Sequence, residues 1–270
     1  MSVVRVNGID INYEVTDFTD PWAEPETILL HHGFARSLRF WYRWVPQLCR
    51  HYRVVTFDSR GCGKTTVPPE DLRFSADELA DDAIGLLDAL KIDRVHWGSE
   101  ASGGIVGINA ALRHPQRLAS LTMCNTPIKL PKATNDLFVE EDVRKYGTAH
   151  WARKSATNRF DMNALQDGYL EWSIAEHGKT PAQVAIAIHG MLMDADNWPL
   201  LPEIKVPTLM IAGDGSKIAP LEEMKKMSDR IPGARLVVFE GYGQGIAFSQ
   251  TDRCVAEMLK FLAELRGIAG

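Results

Sequence analysis

The residues with the clearest chemical potential lie in DRVHWGSEASGGIVGINAALRHP, residues 93–115, where a strand-like run meets a glycine-tight turn and then a helix-like run. Such a turn can hold a nucleophilic serine in a strained G-x-S-x-G elbow, with small residues on either side so that strand and helix approach closely. The helix N-terminus and the next backbone N–H would then stabilise negative charge on an attacked carbonyl. The pair Gly103-Gly104 sets the register here. It places Ser102 one residue after the nucleophile, Ser99 at the first small position and Ala101 where the nucleophile should stand. A shifted register does not rescue either serine: Ser102 as nucleophile puts Glu100 where a small residue is needed, and Ser99 puts Trp97 there. The turn is intact and its reacting group is absent.

Glu100 is the titratable side chain closest to the turn. A half-buried carboxyl there is suited to general acid–base work. The favoured expectation is the plainer one, a carboxylate that faces away from the pocket and bonds to the sheet or to the segment above it. His150, His177 and His189 are in position to reach a ligand from a helical region, although a packing or surface role is expected for each. No histidine pair has metal-ligand spacing with an adjacent carboxylate, so neither a metal nor a cofactor is expected. The segment GCGKTT lacks the spacing of a phosphate loop, and its neighbours Asp58 and Arg60 are expected to tie that loop to the sheet. The four cysteines form no C-x-x-C pair, which argues against a zinc site or a disulfide framework. Cys62, between two glycines, and Cys254, in a helix-like run, read as packed thiols.

These residues must be positioned by a larger scaffold, and 270 residues suffice for one large domain with a buried core. A 45% hydrophobic and 24% charged composition with net charge −5 is that of an ordinary globular chain. It excludes a nucleic-acid surface and a membrane-binding patch. No apolar run reaches transmembrane length, and the N-terminus has no signal-peptide pattern, so a cytoplasmic protein is expected. SVVRVNG and IDINYEVT predict a hairpin turning at Asn7-Gly8. The run ETILLHHG predicts a strand buried on both faces. FWYRWVPQLCRHY predicts a helix, RVVTFDSRG a strand, and Ser75 to Leu90 a helix capped by its serine. The alternation stops near residue 128, and residues 129–201 read as an inserted helical cap. It resumes with VPTLMIAGDGS, a helix over Leu221 to Arg230, ARLVVFEGYG and a last helix from Asp252 to Leu265. The prediction is an α/β fold, a mainly parallel eight-stranded sheet covered by helices on both faces, with a core of residues 1–128 and 202–270. Ligands in such sheets bind beyond the carboxyl ends of the strands.

Taken in order, LLHHGFARSLRFW, VVTFDSRGCGKT, the elbow, VPTLMIAGDGSKIAP and GARLVVFEGYGQGI resemble the α/β-hydrolase fold family over nearly the whole chain. The resemblance implies an oxyanion hole built from the backbone N–H groups of Phe34 and Ser102, with Gly33 beside it and His32 as a structural loop histidine. It also implies a triad, and this chain departs from it at every position. Ala101 replaces the nucleophile, Ser216 the acid after the seventh strand, and Gln244 the histidine after the eighth. Alanine has no nucleophile, glutamine no titratable base and serine no carboxylate, so a conventional serine hydrolase is excluded. Asn125 and Thr126, after the sixth strand, offer no replacement acid.

Three readings follow. The leading one is an enzyme of non-triad type acting on a small hydrophobic carbonyl or ester-like compound, with Glu100 moving a proton and Gln244 orienting the substrate. Trp151, Tyr169, Trp172 and His189 would line its pocket. The others are a catalytically silent ligand-binding homologue and an inactivated variant of a serine esterase or lactonase. A homodimer is compatible with all three.

Overall fold

The computed structural model describes residues 2–69, 73–129 and 135–267. Eight strands form one sheet: β1 (Ser2–Val6), β2 (Ile9–Thr16), β3 (Thr27–His31), β4 (Arg53–Phe57), β5 (Val95–Glu100), β6 (Leu118–Cys124), β7 (Thr208–Gly213) and β8 (Arg235–Phe239). Their order is β1-β2-β4-β3-β5-β6-β7-β8. The β1–β2 and β2–β4 pairs are antiparallel, and every other pair is parallel. The first hairpin turns at Asn7 and Gly8, with φ of 47° and 80°, the left-handed pair that a tight two-residue turn requires.

The helices are α1 (Val45–Leu48), α2 (Ala76–Ala89), α3 (Ser102–Arg113), α4 (Glu140–Tyr146), α5 (Thr148–Lys154), α6 (Ala156–Arg159), α7 (Tyr169–His177), α8 (Ala182–Asp194), α9 (Leu221–Arg230), α10 (Ile246–Ser249) and α11 (Thr251–Leu265). Ser75 caps α2 through a reciprocal box with Glu78, as its sequence predicts. The helix expected over FWYRWVPQLCRHY is instead a 3-10 turn at Leu38–Trp41 followed by the single turn α1. Pro46 has no N–H to donate to Tyr42, so the helix restarts with proline in its first turn. Trp41 and Trp44 are fully buried there, and the Trp44 indole donates to Ala247 O at 2.7 Å.

Each face of the sheet carries its own core. Leu29, Val55, Trp97 and Met210 pack with α2, α3 and α9 on one side, while Ile28, Leu30, Val54 and Ile211 pack with α11 on the other. Period-two alternation between two apolar layers is why ETILLHHG is continuously hydrophobic. Every regular element described between β6 and β7 is a helix, from α4 to α8 and a 3-10 segment at Trp198–Glu203. Residues 130–134 of the stretch expected as a cap lie outside the described residues.

The first turn of α3 backs directly onto the end of β3. A Cβ at Gly103 would meet the carbonyl oxygens of His31 and His32 at 2.6 Å, and both are backbone atoms that have nowhere to go. Gly103→Ala is therefore expected to cost about 1–3 kcal/mol of stability, read as a lowered urea midpoint. Gly190→Ala in α8, whose Cβ would meet nothing within 4 Å, is the matched control. It is expected to leave the midpoint unchanged or raise it.

Candidate active site

The site lies at the carboxyl end of β5, at the centre of the sheet. Between Glu100, which ends β5, and Ser102, which starts α3, Ala101 takes φ 46° and ψ −123°. An alanine held there stores about 1–3 kcal/mol of backbone strain, so the sharp strand-to-helix turn persists without a serine. Ala101 N–H donates to Cys124 O at 2.9 Å, which pins the turn to β6. Among the described residues, the N–H groups of Phe34 and Ser102 meet no acceptor.

Glu100 does not face away, and that expectation is corrected. Its carboxylate Oε1 accepts the Gly33 N–H at 2.7 Å and is ion-paired with Arg36. Both partners belong to the loop after β3, on the cavity side, and they draw the side chain out of the sheet. A Cβ at Gly33 would collide with this carboxylate, so the glycine before Phe34 is needed for the contact. Arg36 is itself buried at 6% exposure. Its guanidinium carbon lies over the rings of Phe40 and Phe248, at 5.1 and 4.4 Å from their centroids.

A cavity of about 70 Å³ opens above the turn, with room for roughly five water-sized groups. Its floor is Glu100, Ala101, Ser102, Arg36 and Gln244. Phe34, Pro127, Phe138, Trp151, Leu192 and Ile218 make apolar walls, and Arg159 and His189 complete the lining. Of the aromatic residues predicted to face the ligand, Trp151 does. Tyr169 and Trp172 do not: they line a separate groove with Trp41 and Tyr42, because Tyr169 packs into Phe160 and Phe248 and Trp172 onto Phe40. His189 stacks on Phe138 at 4.0 Å with its Nε2 buried and unpartnered, and burial lowers its pKa.

The positions read as acid and base sit together. Ser216 Oγ donates to Gln244 Oε1 at 2.5 Å and accepts from Ala219 N, while Gln244 Nε2 donates to Asn125 O at 2.7 Å. Asn125 fastens this loop by donating to the carbonyls of Gly243 and Gln244 and accepting from Gly213 N. The pair is neutral, and one N–H of the Gln244 amide is left over, so it can orient a ligand but not move its proton.

The remaining predicted residues are structural. His32 Nε2 accepts Ser59 N–H at 3.0 Å, a scaffold role. His177 is buried, with Nε2 accepting from Arg159, and burial followed by that cation holds its pKa well below the usual imidazole range. His150 is exposed against Tyr146. Arg60 does not tie its loop to the sheet: its Nε and Nη2 donate two hydrogen bonds to the Asp82 carboxylate on α2, at 2.8 and 2.7 Å, since that helix runs beside the loop. Asp58 holds the backbone of Leu38 and Lys64. Cys62 is fully buried and its thiol is pushed up by desolvation. Sequence reasoning missed Arg36 and Arg159. The GFARS and NRF contexts carry no signal that these cations are buried.

A strained strand-to-helix turn at the centre of a mostly parallel eight-stranded sheet, with a cavity over it, defines a class of protein. Residues 26–249 match the family model described as alpha/beta hydrolase fold, and the chain belongs to that family. Among individual relatives, it is 35% identical over 279 aligned positions to the putative carbamate hydrolase RutD of Caulobacter vibrioides, covering 97% of this chain and 98% of that protein. It is 27% identical to the thermophilic esterase of Thermogutta terrifontis, solved with malate bound, with a TM-score of 0.87 over 98% of this chain and 99% of that one. The enol-lactonase of Burkholderia xenovorans LB400 shares the fold at a TM-score of 0.89 and 24% identity, covering 97% of this chain and all of that one. No helix among the described residues is long and apolar enough to cross a membrane.

Proposed function

We propose that this protein is an enzyme of non-triad type that acts on a small carbonyl or ester-like compound. The observation that carries this reading is the Glu100 carboxylate, which lines the same cavity as Ala101 and Ser102. In this reading the N–H groups of Phe34 and Ser102 form an oxyanion hole. Ala101 leaves space where a nucleophile would stand, and a water occupies it. Glu100 takes a proton from that water as its oxygen attacks the carbonyl carbon and the carbonyl oxygen becomes negative in the hole; the carbonyl then re-forms as the bond from its carbon to the leaving group breaks, and the proton passes from Glu100 to that group. Gln244, held by Ser216 and Asn125, orients the substrate by hydrogen bonding. The identity with a putative carbamate hydrolase and with an esterase supports hydrolysis as the reaction class. The helical segment over residues 135–201 acts as a cap over the cavity. The four buried free thiols fit a reducing cytoplasm.

One observation favours a second reading, a silent binding protein: the Ser216–Gln244–Asn125 network holds together without any ionisable member. Untargeted mass spectrometry of a small-molecule extract incubated with the purified protein decides between them. The expected result is a compound consumed, with a matching product, beyond one equivalent of protein. Retention of a compound at one equivalent, with no product, overturns the enzyme reading and leaves the binder.

A further inference from the structure

The charges around the cavity do not balance. Arg36 and Arg159 both line it, and among the described residues Glu100 is the only carboxylate that does. Glu100 is committed to Arg36. Arg159 has no carboxylate within 4 Å among the described residues. It is held by neutral groups: Nε donates to Ser155 Oγ at 3.0 Å, Nη1 to His177 Nε2 at 3.0 Å, and Nη2 to Ala152 O at 2.6 Å. Those bonds use three of the five N–H donors of a guanidinium. The indole of Trp151 lies 4.7 Å from its carbon, which stabilises a cation without neutralising it. Burial and the repulsion of Arg36 lower the Arg159 pKa to about 9, so it stays charged at neutral pH.

The unsatisfied polar atoms point the same way. Arg36 Nε, on a residue that lines the cavity, is buried without an acceptor. Buried donors without acceptors and a buried cation without a counter-ion are both costly. Each is relieved by one kind of guest, an acceptor-rich anion. The apolar walls exclude water and so strengthen that attraction.

We propose that the compound bound in this cavity carries a carboxylate or carbamate-type anionic group, held by Arg159 and the free edge of Arg36, beside the carbonyl that faces the turn. This names the substrate class for the function proposed above and rests on that reading for turnover, but not for binding. A cavity of this size suits a compact organic anion.

Acetate and its neutral counterpart acetamide, nearly equal in shape, test the assignment on the unaltered protein by calorimetric titration. Acetate is expected to bind at least tenfold more tightly than acetamide. Arg159→Gln should weaken acetate at least tenfold, with little effect on acetamide. Glu100→Gln removes the competing negative charge and is expected to tighten acetate several-fold. Equal binding of acetate and acetamide, or acetate binding that ignores both substitutions, overturns the proposal. Should Arg159→Gln fail to fold, the acetate–acetamide comparison and Glu100→Gln still decide. The two readings separate on Glu100→Gln: tighter acetate binding with unchanged turnover sinks the proton-transfer role and keeps the anion site, and lost turnover in a protein that binds acetate no better than acetamide does the reverse.

Discussion

Replacing Glu100 by glutamine is expected to lower turnover by about 10²–10⁴, the usual contribution of a positioned proton-transfer group. Glutamine keeps the size of the side chain and an oxygen that can accept the Gly33 N–H, now at 2.7 Å from the carboxylate. It removes the ability to take a proton and the counter-charge of Arg36. Because truncating one partner of a buried ion pair can cost about 3–5 kcal/mol, the variant must first be shown to be folded by thermal denaturation. Glu100→Asp separates chemistry from structure: it keeps the charge but withdraws the carboxylate by one methylene, and it should recover part of the rate. A role for Glu100 that is only structural predicts that both variants lose activity in step with stability, while the pH profile of the residual activity stays as before. Glu100→Gln turning over at the unaltered rate, while folded, removes the proton-transfer role.

Acid is expected to destabilise the protein well before its carboxylates are all protonated, because three histidines are buried as neutral rings. His32 and His177 each accept a hydrogen bond at Nε2, from Ser59 N–H and from Arg159. Each faces a backbone carbonyl at Nδ1, so the proton is fixed at Nδ1. A second proton at Nε2 would point at a donor. His31 lies in the same layer between His32 O and Ser59 Oγ, and burial, followed by repulsion from His32, lowers its pKa from 6.5 to about 3. Between those two values the unfolded chain binds a proton that the folded protein refuses. Stability is therefore full above about pH 6.5 and falls as the pH drops toward 3. At pH 4.5 the His31 contribution amounts to roughly 3 kcal/mol, from about 1.4 kcal/mol per pKa unit. Urea midpoints measured from pH 8 to pH 4 should decline steeply below pH 6.5, and His31→Gln should flatten the decline by one proton's worth. A midpoint that holds steady from pH 7 to pH 4.5 contradicts the neutral, buried assignment.

Much of the scaffold was legible in the sequence because its signals are local. The two-sided apolar run at β3, the Asn7-Gly8 turn and the Ser75–Glu78 cap each depend on residues within a few positions of one another. The register of the turn at Ala101 followed from two adjacent glycines, neither of which has space for a Cβ. The helix misread over FWYRWVPQLCRHY shows the limit of such signals, since Pro46 and two buried tryptophans set the backbone there more strongly than the apolar periodicity.

The site divides along the same line. By itself the sequence determined what these side chains cannot do, since a side chain's chemistry belongs to its residue type: Ala101 carries no nucleophile, Gln244 no titratable base and Ser216 no carboxylate. The tertiary structure alone decided which groups are present. Glu100 turns toward the cavity because Gly33 and Arg36, 67 and 64 positions away, offer it a donor and a counter-charge. Arg159 becomes an unbalanced buried cation because α5, α6 and α7 wrap it in neutral acceptors. Tyr169 and Trp172 leave the cavity because other aromatic rings compete for them. Orientation and electrostatic balance depend on distances between segments remote in sequence, and those distances exist only after the chain has folded.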